Sequence, residues 1–132
     1  MSKNVGSLQD KDGNLLFPNV VDVVTNNNGT AIKFANGIMI CCGTVSMGNQ
    51  TFNTVYWTNL HRSNNEDMYI TYPVPFTTII SCNMNANVGT GWVITKYAGS
   101  LVQTPKCVVV APSGYTDTQE VKLSYCAIGT WK

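Results

Sequence analysis

Glu120-Val121-Lys122-Leu123-Ser124-Tyr125-Cys126-Ala127-Ile128-Gly129-Thr130-Trp131-Lys132 (EVKLSYCAIGTWK) sets Val121, Leu123, Tyr125 and Ala127 against Lys122, Ser124, Cys126 and Ile128. Successive side chains of a strand point to opposite faces, so this is the period of a strand with two chemically different sides. The alternation runs almost to Lys132, where a frayed polar tail is the ordinary expectation. Trp131 must therefore be held, either under the domain's own fold or against a partner.

Upstream the same kind of pattern repeats in short pieces. Residues 1–19 are polar, turn at Asp12-Gly13-Asn14 and stop at Pro18, which reads as an N-terminal arm or linker ahead of one domain over residues 20–132. Val20–Thr25 is β-branched and runs into Asn26-Asn27-Asn28-Gly29, a loop. Thr30–Phe34, Asn36-Gly37 and Ile38–Val45 predict a hairpin, with Asn-Gly in a two-residue type I′ turn. Gln50–Thr58 predicts a strand rich in Thr and aromatics, and Asn59–Asp67 (NLHRSNNED) an exposed loop. Tyr69–Tyr72 leads into Pro73-Val74-Pro75-Phe76, where proline forbids a central strand. Strands are expected again at Thr77–Ala86, Gly91–Ala98 and Lys106–Ala111. No stretch keeps apolar residues at helical spacing over three turns. The fold class expected is all-β, an antiparallel β-sandwich or jelly roll.

A chain of 132 residues supports one domain with its own core. Charged residues are 11% of it, against about 25% in an ordinary globular domain, and Asn, Thr, Ser and Gly supply the polarity instead. Net charge is +1 with no Lys/Arg run, which excludes nucleic acid and anionic membrane as partners, since phosphate binding needs clustered cations. No apolar run is long enough to insert in a membrane, and the Met1 end has no apolar signal core, so the product is expected to be made in a cytoplasm without a signal peptide. Cys41, Cys42, Cys82, Cys107 and Cys126 form no CxxC pair and are odd in number. They read as buried apolar thiols, not as a disulfide frame or a zinc site. Cys41 and Cys42 are neighbours and so belong to opposite faces of one strand.

Motifs that carry catalysis are missing. Asp10-Lys11-Asp12-Gly13-Asn14 has glycine at the fourth position of a calcium loop, not the sixth, and Val21 where the bidentate Glu belongs. There is no GxGxxG, GxxxxGK[ST] or HExxH pattern, and Gly89-Thr90-Gly91 reads as a tight turn before Trp92. Asn28-Gly29-Thr30 and Asn49-Gln50-Thr51 match the glycosylation sequon by composition alone. The single histidine, His61, reads as a solvated loop residue, and adjacent Glu66 and Asp67 do not make a glycosidase pair, whose carboxylates sit about 5–9.5 Å apart across a sugar on separate elements. No enzyme, cofactor or metal is expected. What remains is a surface that binds. Tyr56 and Trp57 abut the polar stretch that holds His61, Arg62, Asn64, Asn65, Glu66 and Asp67. Aromatic faces stack on the C–H face of a sugar while amides and Arg bond its hydroxyls, so these eight residues form the candidate ligand site, with Asn83–Trp92 and Ser113–Asp117 as further candidate loops.

Three motifs in order carry a family likeness: NGIMICCGT at residues 36–44, YPVPF at 72–76 and YCAIGTWK at 125–132. Together they resemble the C-terminal receptor-binding domain of bacteriophage tail-fibre proteins, and they are also similar to H-type lectin domains. Asp10–Asn19 is similar to linkers that precede such tips, so the likeness spans the chain from Asp10. Cys42 stands where the fibre pattern has an aromatic, and Trp57 and His61 are separated by Thr58-Asn59-Leu60 where H-type lectins pair such residues closely. The resemblance implies a sandwich that forms a homotrimer in the tail of a virion and attaches to a bacterial surface glycan or protein. The alternative it leaves is a trimerisation or cap module of a tail fibre with no ligand of its own.

Overall fold

Alternation of apolar and polar side chains decides which side of each strand turns inward. In a computed structural model describing residues 11–12 and 19–132, the strands are β1 (Val20–Asn26), β2 (Gly29–Phe34), β3 (Ile38–Thr51), β4 (Thr54–Trp57), β5 (Leu60–Arg62), β6 (Thr78–Asn87), β7 (Trp92–Tyr97), β8 (Lys106–Pro112) and β9 (Thr118–Thr130). They build a five-stranded sheet in the order β1-β2-β3-β9-β6 and a four-stranded sheet in the order β4-β5-β8-β7. Every pairing is antiparallel, and no helix occurs among the described residues. The fold is an antiparallel β-sandwich. Apart from residues 11, 12 and 19, the expected N-terminal arm lies outside the described residues.

β9 is central in the larger sheet, with β3 on one side and β6 on the other. Its inward set, Val121, Leu123, Tyr125 and Ala127, is buried, while Lys122, Cys126 and Ile128 are exposed on the other face. The inward rows continue across the strands, Cys41 to Ala127 to Cys82 and Val45 to Leu123 to Ala86. Cys107, Val109 and Ala111 face them from the smaller sheet, and Phe52, Met68, Ile70, Tyr72 and Phe76 fill the space between. Tyr72 sits edge-on to Phe76, with ring centroids 5.0 Å apart.

Trp131 is held by the chain itself. Its Nε1 donates to the Phe34 carbonyl at 2.9 Å and its backbone N–H to the Gly37 carbonyl at 3.0 Å. The ammonium groups of Lys33 and Lys132 lie 5.5 and 5.2 Å from its ring centroid. Lys132 Nζ also donates to the Ala35 carbonyl at 2.7 Å. The β2–β3 turn therefore clasps the segment that follows β9.

Several local expectations are corrected. The Asn36-Gly37 turn is not type I′, because Gly37 has a φ of 95° but no non-glycine residue among those described has a positive φ. Gly37 N–H donates to the Phe34 carbonyl, so Ala35 and Asn36 are the central pair and Gly37 follows them at positive φ, as in a three-residue hairpin loop. β3 runs on to Thr51, past an irregularity between Ser46 and Asn49, and the chain turns at fully buried Phe52 to enter the other sheet. The stretch expected as the loop Asn59–Asp67 contains β5, because Leu60–Arg62 pairs with β8, and its Ser63 is fully buried. Of the thiols expected to be buried, Cys41 and Cys107 are, but Cys42 and Cys126 are exposed. Strand parity puts both on the outward face.

Tyr125 connects the core to the β1–β2 turn. Its hydroxyl donates to the Asn28 carbonyl at 2.9 Å, and its ring crosses Gly43, its register partner. A Cβ on Gly43 would lie 2.5 Å from the Asn28 oxygen and 3.1 Å from Tyr125 Cε1. Gly43→Ala is therefore expected to cost about 1–3 kcal/mol in urea denaturation, by overpacking. Gly114→Ala, whose Cβ meets nothing within 4 Å, serves as the reference. Equal midpoints for the two variants would remove the steric account of Gly43.

Candidate functional site

The outward face of the smaller sheet gathers the aromatic and charged residues. Register sets its members, because directly opposed residues share a face. Thr54, Arg62, Val110 and Trp92 form one row across β4, β5, β8 and β7. Trp57, Leu60 and Pro112 form the next, and Ile94 opposes Val108. Tyr97 opposes Lys106, whose ammonium is 5.9 Å from the Tyr69 ring. Trp57 is 59% exposed, Tyr97 61%, Trp92 46% and Tyr69 43%, so four aromatic surfaces meet solvent on or beside this sheet.

Between β5 and the bridge that joins Met68 to Cys107, residues 63–67 bulge out of the pairing. Buried Ser63 anchors the bulge. Its hydroxyl donates to the Asn65 carbonyl at 2.8 Å and accepts the Val109 N–H at 3.3 Å. Asn64 Oδ1 accepts the Thr51 N–H and Asn65 Oδ1 accepts the Asp67 N–H. Arg62 Nε lies 3.5 Å from Glu66, and Lys96 of β7 lies 3.7 Å from Glu66 and 3.3 Å from Asp67. β8 stands between β5 and β7 in the sheet, so these ion pairs span it. Val108 and Val110 are fully buried although they are on the outward side.

The structure thus brings Trp57, Arg62, Glu66 and Asp67 to one face and adds Lys96 and Trp92. Tyr56 packs on Trp57 at 4.8 Å, which the irregularity between Val55 and Trp57 permits for consecutive residues. His61 goes elsewhere. It opposes Ala111 on the inward side, is half-buried, and its Nδ1 donates to the Phe52 carbonyl at 2.9 Å, bracing the corner by which the chain changes sheets. It is only partly exposed, and its side chain lies on the opposite face from that of Arg62. Asn64 and Asn65 spend their side-chain oxygens on backbone. Lys96 was not legible as part of a site, although the alternation of Trp92, Ile94 and Lys96 hinted at a common face.

The candidate loops also converge. Ser113 N–H donates to the Asn59 carbonyl, joining the 113–117 loop to the β4–β5 turn, and Tyr115 sits edge-on to Phe52 at 5.9 Å. Gln119 Oε1 accepts the Gly89 N–H while its Nε2 donates to the Thr90 carbonyl, tying the 88–91 turn to the start of β9. No cluster of three or more His, Cys, Asp or Glu suited to a metal occurs among the described residues.

Burial pulls the Lys96 pKa down, but its hydrogen bond to Asp67 and the charges of Asp67 and Glu66 outweigh this and raise it. A raised lysine pKa contributes stability that is complete below the unfolded value, 10.5, and is lost as pH climbs through the folded value. The stability difference between wild type and Lys96→Met should therefore be flat from about pH 7 to 9 and narrow only at higher pH. Urea titrations at each pH check this, and a difference that vanishes by pH 8 would contradict it. Compared with known proteins, the chain matches no family model, no curated protein and no solved structure.

Proposed function

We propose that this chain is the receptor-binding domain at the tip of a bacteriophage-type tail fibre, a homotrimer in the virion tail that attaches to a bacterial surface glycan or protein. The observation that carries the proposal is the unlike chemistry of the two outward faces. The smaller sheet offers Trp57, Tyr69, Trp92 and Tyr97 among Arg62, Lys96 and Lys106. Indole and phenol rings take the C–H faces of a sugar, and the cations bond hydroxyls or carboxylates. The larger sheet offers Val23, Ile32, Ile40 and Ile128 in one continuous row, flanked by Thr30, Cys42 and Cys126 on one side. Glu120 and Lys122 are confined to one end of that face. An uncharged, partly aliphatic face suits a second and third copy of the chain. The resemblance to tail-fibre tips supports the same assignment. Three shallow sites on one assembly raise avidity above the weak affinity of each.

A trimerisation or cap module is the second reading. The mutual pairing of Arg62, Glu66, Asp67 and Lys96 favours it, because charges satisfied by each other have less to offer a ligand.

Purified protein on a glycan array and in a pull-down from host envelope separates the two. Trp57→Ala/Arg62→Ala and Trp92→Ala should each lower binding at least about tenfold, roughly 1.4 kcal/mol. Retention by both variants clears this face of recognition, and no binding by wild type favours the cap. For assembly, light scattering at micromolar concentration should give the trimer mass. Ile128→Lys should give a folded monomer, since it buries an unpaired charge in the contact. A monomeric wild type overturns the trimer.

A further inference from the structure

Cys42 and Cys126 are direct register partners on β3 and β9, and their sulfurs are 3.3 Å apart. Both are exposed on the outward face of the larger sheet. The remaining thiols are kept from them by geometry. Cys41 is fully buried on the inward face, and Cys82 shares that side because it opposes Ala127. Cys41 and Cys82 stand two strands apart, about 10 Å, beyond disulfide reach. Cys107 is fully buried in the other sheet.

Directly opposed residues of an antiparallel pair have Cα atoms about 4.5–5.5 Å apart, and disulfides span about 4.4–6.8 Å. Joining the two sulfurs therefore asks for side-chain rotation alone. The neighbouring outward row is the Thr44–Ser124 hydroxyl pair at 2.8 Å, which leaves the thiols without a competing ionic partner there. Partial burial, and then the hydrogen bond with Cys126, push the Cys42 thiol up to about 11, so at neutral pH Cys42 is held protonated and reacts slowly.

We propose that Cys42 and Cys126 form a cross-strand dithiol site that closes to a disulfide by exchange with a low-molecular-weight disulfide such as oxidised glutathione. One cysteine thiolate attacks a glutathione sulfur, breaking its S–S bond, expelling one glutathione thiolate and leaving a mixed disulfide. The other cysteine thiolate attacks the protein-side sulfur of that intermediate and expels the second glutathione. The protein thiols lose two protons and two electrons, and oxidised glutathione takes them up as two thiols. The bond ties positions 84 residues apart across the central strand pair. It lies within one chain and does not depend on the attachment reading.

The test refolds the full reduced chain in a glutathione redox buffer at alkaline pH and maps its cysteines by mass spectrometry without reduction. The expected product is a native-spectrum protein with a Cys42–Cys126 peptide and alkylatable Cys41, Cys82 and Cys107. Its Tm should exceed that of the same protein after reduction by about 10 °C, and Cys126→Ser should fold but lose both the peptide and the shift. Cys42 and Cys126 left as free thiols, or joined to other cysteines, overturn the proposal. Light scattering on the same samples keeps the two ideas apart. A disulfide in a monomer removes the trimer and leaves the dithiol standing, whereas a trimer with free thiols does the reverse.

Discussion

The register between β3 and β9 is the constraint on which the rest of the molecule depends. It opposes Gly43 to Tyr125 and Cys42 to Cys126. A slip of one residue would turn Lys122 and Ser124 inward and expose Leu123 and Tyr125. Once the register is set, the Tyr125 ring can cross Gly43 and its hydroxyl reach Asn28, and Trp131 falls within reach of Phe34. The β1–β2 and β2–β3 turns are thus fastened by side chains from one segment of β9 and its extension. The pairing joins residues remote in sequence, so its loop-closure entropy must be met before these contacts form, a feature of slow-folding β-topologies.

The two outward faces differ in desolvation cost. On the larger sheet hydroxyls bond one another across strands: Thr44 to Ser124 at 2.8 Å, Thr25 to Thr30 at 3.0 Å and Thr51 to Thr118 at 2.7 Å. A covering partner then strands few polar atoms, and the aliphatic row of Val23, Ile32, Ile40 and Ile128 gains from contact. On the smaller sheet, covering Glu66 and Asp67 completely would cost far more, because ion pairs lose hydration that their mutual attraction seldom restores. That face is better suited to a small polar ligand that leaves the charges partly wet.

Sequence made the architecture legible where the signal was local. The alternation of Val121, Leu123, Tyr125 and Ala127 needed no partner to be read as one face of a strand, and that face is the buried one. β5 was not legible, since Leu60-His61-Arg62 has no propensity of its own and is a strand because β8 pairs with it. Ser63 looked like loop polarity, yet it is buried to satisfy the Val109 N–H, a partner 46 residues away. Trp57, Arg62, Glu66 and Asp67 could be nominated together because they are close along the chain. Lys96 could not, because the ion pairs that recruit it depend on strand order. His61 was misplaced for a related reason: on a strand it must point away from Arg62.

The cysteines show how far a single parity rule reaches. Cys41 and Cys42 are chemically identical and adjacent, but the period of two sends Cys41 into a core where burial first of all pushes its thiol up to about 11. Cys41 there acts as a small apolar filler opposite Ala127. Cys42 instead meets a second thiol across the β3–β9 pair of the larger sheet. A bond at that point would not alter either face's composition. It would fix the registration of the larger sheet, because β3 could no longer slide against β9. Redox closure and correct display of the larger sheet's outward face would therefore be linked through one pair of opposed residues.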